Sequence, residues 1–370
     1  MVIYFYFQLL TANCRLMTAN FLKLTNPQHI RALRYAVGVT IATALAFGIA
    51  WPLSFLFPVL SAVFLALPLP KPTLQQGMRN MRDTLFAFGV GYIFTMFILP
   101  HTVIYIPLLA LALFHTYYHL NRGGSFWLVL MLLINLLLMP MLAGVHEGLA
   151  IGVVSGLVGS SWLTICLLWL SHYIVPDAPG GPAMPQKAQV APGYQPGYSA
   201  PAAEFAFKST IVALPIAIVF IANNWTSQIL VMVFAAIFTL SPNLDKGKEA
   251  GMNSIKSTLI GGGVAFFVYW ALVAVPEYHF LVLLIFLASL GFGSAINSAR
   301  PIAKYLPSAM VAMIILVNSS LAEGADFSDI FIKRILFISL AAIYVVTALR
   351  VLDAFWPKKK VGSLQSSVSS

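Results

Sequence analysis

Long apolar stretches recur through almost the whole sequence, and they restrict the chain to a helical membrane protein. Each runs for about 17 to 22 residues, close to the ~20 that an α-helix needs to cross the ~30 Å hydrocarbon core of a bilayer. Only 9% of the residues are charged and 60% are hydrophobic, whereas soluble domains keep about a quarter charged. The alternating pattern of an outer-membrane barrel is absent. We therefore expect an all-α, polytopic fold with the lipid bilayer as its main partner.

The apolar stretches form two sets of six, which predicts about 12 transmembrane helices. In the first half the predicted spans are roughly 33–50, 53–69, 84–100, 103–120, 125–143 and 149–175. In the second half they are roughly 208–222, 226–241, 257–275, 279–296, 306–321 and 330–352. The predicted segments are an N-terminal lead (1–30), a first six-helix repeat (31–176), a Pro/Gly-rich cytoplasmic linker (177–203), a second repeat (204–356) and a cytoplasmic tail (357–370). Met17 is an alternative start to Met1.

The two halves are copies of one unit. The stretch "GMRNMRDTLFAFGVG" at 77–91 returns as "GMNSIKSTLIGGGVA" at 251–265, with six identical residues in register. The offset of 174 grows to about 183 later in the unit, where Asn135 aligns with Asn318 and Glu147 falls opposite Asp329. Six crossings separate equivalent points, so the two copies have the same orientation. The pattern predicts parallel repeats related by an axis along the membrane normal.

Basic residues set the predicted orientation, since cytoplasmic loops carry an excess of Lys and Arg. The net charge is +10, and in this chain we assign it to topology rather than to nucleic-acid binding. On one side of the predicted membrane lie Arg31, Arg34, Lys71, Arg79, Arg82, Arg122, Lys187, Lys246, Lys248, Lys256, Arg300, Lys304, Arg350 and Lys358–Lys360. The other side has Glu147, Glu277, Glu323, Asp326 and Asp329. Both termini are therefore expected in the cytoplasm, with Lys333 and Arg334 as exceptions that snorkel or pair with nearby acids.

The basic stretch before the third span of each repeat is the first candidate site. Arg79 and Arg82 are three residues apart and share a helix face, where they can attract an anion; Lys256 is the basic residue of the second copy. The alternative is that these residues only anchor the topology. Asp83 is a candidate for proton coupling.

Polar residues inside the predicted spans form the second group of candidates. His115 and His119 lie one turn apart in the fourth span, where they suit proton relay, helix-end packing or, less well, a metal. Asn135 and Asn318 either bridge helices or line a path for substrate. Small residues at four-residue spacing, from Gly148 to Ser160, predict close helix packing or a homo-oligomer contact. Motifs for phosphate binding, hydrolysis and metal catalysis are missing, so we expect no enzyme, no cofactor and no metal.

One stretch connects the chain to a known group of transporters. The segment "PLPKPTLQQGMRNMRDTLFAFG" (68–89) and its second-half counterpart from Pro242 to Gly263 resemble the fusaric acid resistance and aromatic acid exporter superfamily of the bacterial inner membrane. Members of that superfamily usually have large cytoplasmic domains, which this sequence lacks. The resemblance implies proton-driven efflux of small aromatic carboxylic acids together with a periplasmic adaptor of the membrane-fusion type, and it extends a general role to Arg79, Arg82, Lys256, Thr84 and Thr258.

Together these features predict an inner-membrane efflux transporter of small organic anions or amphipathic drugs. In this interpretation Arg79, Arg82, Lys256, Asn135 and Asn318 contact the substrate, and Asp83, His115 and His119 handle protons. Glu147 and Asp329 favour release or dock the adaptor. A passive anion channel and a non-transporting envelope scaffold are the alternatives.

Overall fold

The structure is a computed structural model in which the described part of the chain consists of helices and short connections, without strands. It describes residues 27–51, 54–67, 71–143, 147–176, 197–223, 232, 235–236, 239–240, 244–323 and 327–355. Ten helices in these ranges are long and apolar enough to cross a membrane. The predicted all-α, polytopic membrane fold is thereby confirmed.

Eleven helices are numbered here in chain order within the described ranges. They are α1 (Pro27–Gly48), α2 (Leu56–Ala66), α3 (Leu74–Ile93), α4 (Thr102–Asn121), α5 (Phe126–Ala143), α6 (Glu147–Ile174), α7 (Ala200–Ala222), α8 (Leu244–Ala274), α9 (Tyr278–Ile296), α10 (Leu306–Glu323) and α11 (Phe327–Phe355). A π-helical turn, Phe94–Ile98, extends α3, and a 3-10 helix, Pro301–Tyr305, precedes α10.

The third span of the first half begins earlier than predicted. Its helix starts at Leu74 rather than at residue 84, because Thr73 and Gln76 form a capping box. The Gln76 amide donates to the Thr73 hydroxyl at 3.2 Å, and the Thr73 amide donates to the Gln76 side chain at 3.0 Å. The basic stretch is therefore part of the membrane helix itself. Its counterpart in the second half is likewise helical, since α8 starts at Leu244.

The number of spans stays a prediction. The predicted second span corresponds to α2, which has 11 residues and is shorter than the ten candidates. Most of the predicted span at 226–241 lies outside the described residues, as do residues 1–26 of the N-terminal lead, the tail and most of the linker.

The described helices belong to two compact units. Unit 1 comprises residues within 1–77, 159–190 and 260–327. Its main pairing sets α1 against α9: Gly293 lies against Ala32, where a Cβ would come within 2.9 Å of the Ala32 carbonyl oxygen. The Tyr278 hydroxyl donates to the carbonyl of Ala44 at 2.6 Å. At the other end of α1 the Arg34 Nε donates to the carbonyl of Val175 at 3.0 Å, beyond the last residue of α6.

Unit 2 comprises residues within 78–158, 191–259 and 328–370. Its core packs α4 and α5 with α7 and α11, around Leu109, Leu133 and Val345. The Tyr117 hydroxyl lies 2.9 Å from the Thr239 hydroxyl. Unit 2 therefore pairs α4 with α7, as unit 1 pairs α9 with α1, and each unit takes helices from both predicted repeats. The repeats and their boundaries stay predictions.

Candidate functional site

One end of unit 2 gathers ionisable side chains at the start of α3, the end of α4 and the loop that follows. We call it the basic end and define it by Arg79, Arg82, Asp83, His119 and Arg122. Two hydrogen bonds fix its helices. The Trp127 indole of α5 donates to the Thr84 hydroxyl of α3 at 2.8 Å. The backbone amide of Ser199, the N-cap of α7, donates to the Tyr118 hydroxyl at 3.1 Å.

Asp83 is the buried carboxylate of this end. Its side chain is 9% exposed, whereas that of Arg82 is 75% exposed, and the Arg82 guanidinium lies 3.0 Å from the Asp83 carboxylate. Burying a carboxylate is costly unless it is paired or hydrogen-bonded. Arg82 provides this partner from the exposed side of the helix. Arg79 is exposed on the same helix.

His119 lies within electrostatic range of Asp83 and of Arg122. It is half-buried, and its imidazole packs directly over Gly124, where a methyl group would collide with the ring. Arg122, at the C-cap of α4, places its guanidinium 5.3 Å from the centre of the Tyr118 ring. A cation here also complements the negative end of the α4 dipole. Asp83 and Arg122 thus both act electrostatically on His119, and Arg82 is ion-paired with Asp83.

His115 does not join this group. It is exposed one turn before His119, with its ring edge-on to Phe114 at 5.7 Å. Among the described residues no group of three His, Cys, Asp or Glu side chains is arranged to hold a metal ion.

The second copy of the basic stretch has a different chemistry. Lys256 is exposed, as Arg82 is, but the position of Asp83 is taken by Ser257, which is 2% exposed. The Ser257 hydroxyl donates to the carbonyl of Ser254 at 2.9 Å, so it is satisfied within its own helix. Thr258 is buried, as Thr84 is. The carboxylate is therefore specific to the first copy.

The two predicted intramembrane asparagines differ in environment. Asn135 is fully buried on α5, and its side-chain amide donates to the Met131 carbonyl at 2.6 Å. It faces Gly91 of α3, where a Cβ would lie 2.8 Å from the Asn135 Cβ. The Asn135 Oδ1 accepts no hydrogen bond from the described residues. Asn318 is only half-buried on α10. Asn135 therefore lies at a close contact between α3 and α5.

The two acidic residues assigned to release lie at helix starts. Glu147 is the first residue of α6, and its side chain lies outside the described part. Asp329 forms an exposed ion pair with Lys333 at 2.6 Å, one turn further along α11. Lys333 therefore pairs with a nearby acid, one of the two alternatives that the sequence suggested.

Three cations are buried in the helices: Arg34, which the sequence assigned to topology, Arg334, which it set apart as an exception, and Lys208. Arg34 is 6% exposed, Lys208 5% and Arg334 7%. Arg34 donates to Val175, and Lys208 forms an ion pair with Glu204 at 2.9 Å. In the sequence, Arg34 and Lys208 align at the 174-residue offset, and this alignment indicates a shared structural position.

Part of the chain is similar to one described protein family. The sequence model of a family described as "Protein of unknown function (DUF2955)" matches residues 31–171. No curated protein and no solved structure matches the chain significantly. The match covers nearly all of the predicted first repeat, so the chain is similar to that family over this region.

Proposed function

We propose that this protein is an efflux transporter of the bacterial inner membrane that exports small organic anions, aromatic carboxylates foremost, in exchange for protons. The observation that carries the proposal is Asp83, a buried carboxylate on a membrane-spanning helix, which is paired with Arg82 and interacts electrostatically with His119. Ionisable residues within membrane spans are expensive and commonly serve ion or proton pathways.

The basic end has a group that can carry a proton, Asp83, beside guanidinium groups that can bind an anion. Exchange requires the anion and the proton to occupy the path in turn. In this proposal the anion moves outward from Arg82, and a proton carried by Asp83 moves inward on the return step. Arg79 and Lys256 add positive charge on exposed positions of the same unit.

In this proposal the orientation and the partners are those that the sequence predicts. The basic end faces the cytoplasm, because Arg79 and Arg82 near the start of α3 and Arg122 at the end of α4 agree with the cytoplasmic excess of Lys and Arg close to the ends of spans. Substrate leaves at the opposite side, where Glu147 and Asp329 assist release or dock a periplasmic adaptor. Amphipathic drugs are a second substrate class for the same path.

The test is export of benzoate by the full-length protein in proteoliposomes, with and without an imposed proton gradient. Asp83→Asn and His119→Ala are each expected to lower gradient-driven flux at least about tenfold, which is within the usual effect of removing a proton-transfer group. Two matched variants serve as controls: His115→Ala removes the exposed histidine of the same helix, and Glu277→Gln neutralises an exposed acid in unit 1. Both are expected to retain flux within about twofold.

Other results would identify the alternatives. Benzoate flux that follows its own gradient and ignores the proton gradient indicates a passive anion channel. Absence of flux for benzoate and other organic anions, with the protein folded, favours a scaffold. Equal losses in His115→Ala and His119→Ala would contradict the role given to the electrostatic interaction between His119 and Asp83.

A further inference from the structure

Four helices of unit 1 contact one another in a closed ring. In this ring α1 packs against α2, α2 against α10, α10 against α9, and α9 against α1. The axes of packed helices lie about 8–10 Å apart. Side chains at the same end of two neighbouring helices in the ring can therefore reach the same small group.

The ring helix α9 runs antiparallel to α1. Near the end of α9, Gly293 lies against Ala32, in the first turns of α1. At the start of α9, the Tyr278 hydroxyl donates to the carbonyl of Ala44, near the end of α1. The end of α9 therefore lies beside the start of α1. From there the chain continues through the 3-10 helix Pro301–Tyr305 into α10, so α10 also begins at this end of the ring.

The ring helix α2 is antiparallel to α1 as well. Leu65, next to the last residue of α2, packs directly over Gly38, where a methyl group would collide with the leucine side chain. Phe57, near the start of α2, belongs to one apolar cluster with Ala46, near the end of α1. The end of α2, the end of α9 and the start of α10 are therefore at the same end of the ring.

Three exposed cations lie at this end, and we call them the lysine–arginine cluster of unit 1. They are Lys71, which follows α2, and Arg300 and Lys304, which lie between α9 and α10. The Trp169 indole of α6 donates to the carbonyl of Pro72 at 2.9 Å and fixes the chain beside Lys71. Because α2 packs against α10, two separate chain segments bring their cations to neighbouring helix ends.

The described residues of unit 1 provide no carboxylate at this end. Its acidic residues in the described ranges are Glu277, at the start of α9, and Glu323, at the end of α10. Both belong to the opposite end of the ring. A group of exposed cations without acidic neighbours creates a positive potential that attracts anions.

Exposed apolar side chains lie beside the cations. Ile302, in the 3-10 helix that precedes α10, is 41% exposed. On α9, Leu283, Leu287 and Leu290 are exposed, and their spacing of four and three residues places them on one helix face. This face runs from the lysine–arginine cluster into the membrane span. A water-soluble anion needs only the positive charges, whereas a phospholipid also needs an apolar surface for its acyl chains.

We infer that the lysine–arginine cluster of unit 1 binds the headgroup of an anionic phospholipid, whose acyl chains lie along the exposed leucines of α9. Basic residues at the ends of spans attract anionic lipids, and a guanidinium fork matches the geometry of a phosphate. The sequence assigned these three residues to topology alone. The inference goes beyond the proposed function and does not depend on it, because it concerns a lipid-facing surface of unit 1.

The test is binding of phosphatidylglycerol to the purified full-length protein in detergent, measured by native mass spectrometry as the lipid is added. Arg300→Gln, Lys304→Gln and Lys71→Gln are each expected to raise the dissociation constant of the first bound lipid about fivefold, the usual contribution of one basic residue near an anionic lipid surface. The double variant Arg300→Gln with Lys304→Gln is expected to raise it at least about tenfold. A constant that stays within about twofold in the double variant would overturn the inference.

Arg350→Gln is the matched control. Arg350 is an exposed arginine that the sequence places on the same side of the membrane, but it belongs to unit 2. Its substitution is expected to leave the constant within about twofold. Arg300→Lys keeps the charge and is expected to retain most of the affinity. Equal losses in Arg350→Gln and Arg300→Gln would mean that the lipid responds only to net charge, and the inference would be wrong.

Competition separates a phospholipid from a soluble anion. Glycerol phosphate has the charge without the acyl chains, so it is expected to bind at least about tenfold more weakly than phosphatidylglycerol. Phosphatidylcholine has the chains without the net charge, and the three Gln substitutions are expected to leave its binding unchanged. Displacement of phosphatidylglycerol by benzoate or glycerol phosphate at equal concentration would assign the cluster to a soluble anion and contradict the inference.

Discussion

Thr84 offers the sharpest test of how the basic end is built. Its hydroxyl donates to the Asn80 carbonyl at 2.8 Å and accepts from the Trp127 indole at 2.8 Å. Thr84 is fully buried and Trp127 is 5% exposed. Thr258 is its counterpart in the second copy and is 2% exposed, but Met310 aligns with Trp127 there. A methionine side chain has no donor for Thr258.

This difference sets the expected change in the free energy of unfolding for each threonine. Thr84→Val keeps the shape of the side chain and leaves the Trp127 N–H without this acceptor, and a buried unsatisfied donor costs about 1–3 kcal/mol. Hydrogen bonds between membrane helices average about 0.6 kcal/mol and reach about 1.7. We therefore expect Thr84→Val to lower the free energy of unfolding by about 1 kcal/mol. Thr258→Val is expected to change it by less than about 0.5 kcal/mol.

The assay is reversible unfolding of the purified protein in mixed micelles, run as a double-mutant cycle. The four proteins are the wild type, Thr84→Val, Trp127→Phe and the double variant. The cycle isolates the energy of the indole–hydroxyl bond from the loss of apolar contact in Trp127→Phe. A coupling below about 0.2 kcal/mol, or equal effects of Thr84→Val and Thr258→Val, would refute the reasoning.

Two other predictions concern charges inside the spans. Glu204→Gln removes the counter-ion of Lys208, whose side chain is 7% exposed, so it is expected to lower the free energy of unfolding by about 1–3 kcal/mol. Asp329→Asn breaks an exposed ion pair and is expected to lower it by less than about 1 kcal/mol. Asp83→Ser copies the residue found at Ser257, so its free energy of unfolding is expected to stay within about 1 kcal/mol of the wild type while gradient-driven benzoate export is lost. Destabilisation of Asp83→Ser by several kcal/mol would mean that the carboxylate holds the fold.

The sequence predicted the helices well because their signal is simple. Apolar stretches of sufficient length specify spans whatever their neighbours are, and the ten long helices follow that signal. The start of α3 was missed because charged residues at Arg79 and Arg82 suggested a loop. The capping box of Thr73 and Gln76 was present in the sequence and indicates the true start.

The choice of helix partners could not be predicted in the same way. Lipid is as apolar as leucine, so a helix in a membrane shows no clear hydrophobic stripe toward its neighbours. Contacts depend instead on small residues and single polar groups, such as Gly293 against Ala32 and Tyr278 with the Ala44 carbonyl. These features are too local to identify their partners along the chain. The units that combine both halves of the chain were therefore beyond sequence reasoning.

The candidate site contains residues that both predicted repeats share and residues that only the first repeat has. If the fold itself requires a polar residue at a buried position, both copies should have one there. Thr84 and Thr258 agree with this expectation, because both are buried threonines at one aligned position. Asp83 and Ser257 share a buried position too, but the serine is satisfied by its own helix and the aspartate depends on Arg82. The position therefore accepts a small hydroxyl, and a carboxylate there imposes a cost that the fold does not demand.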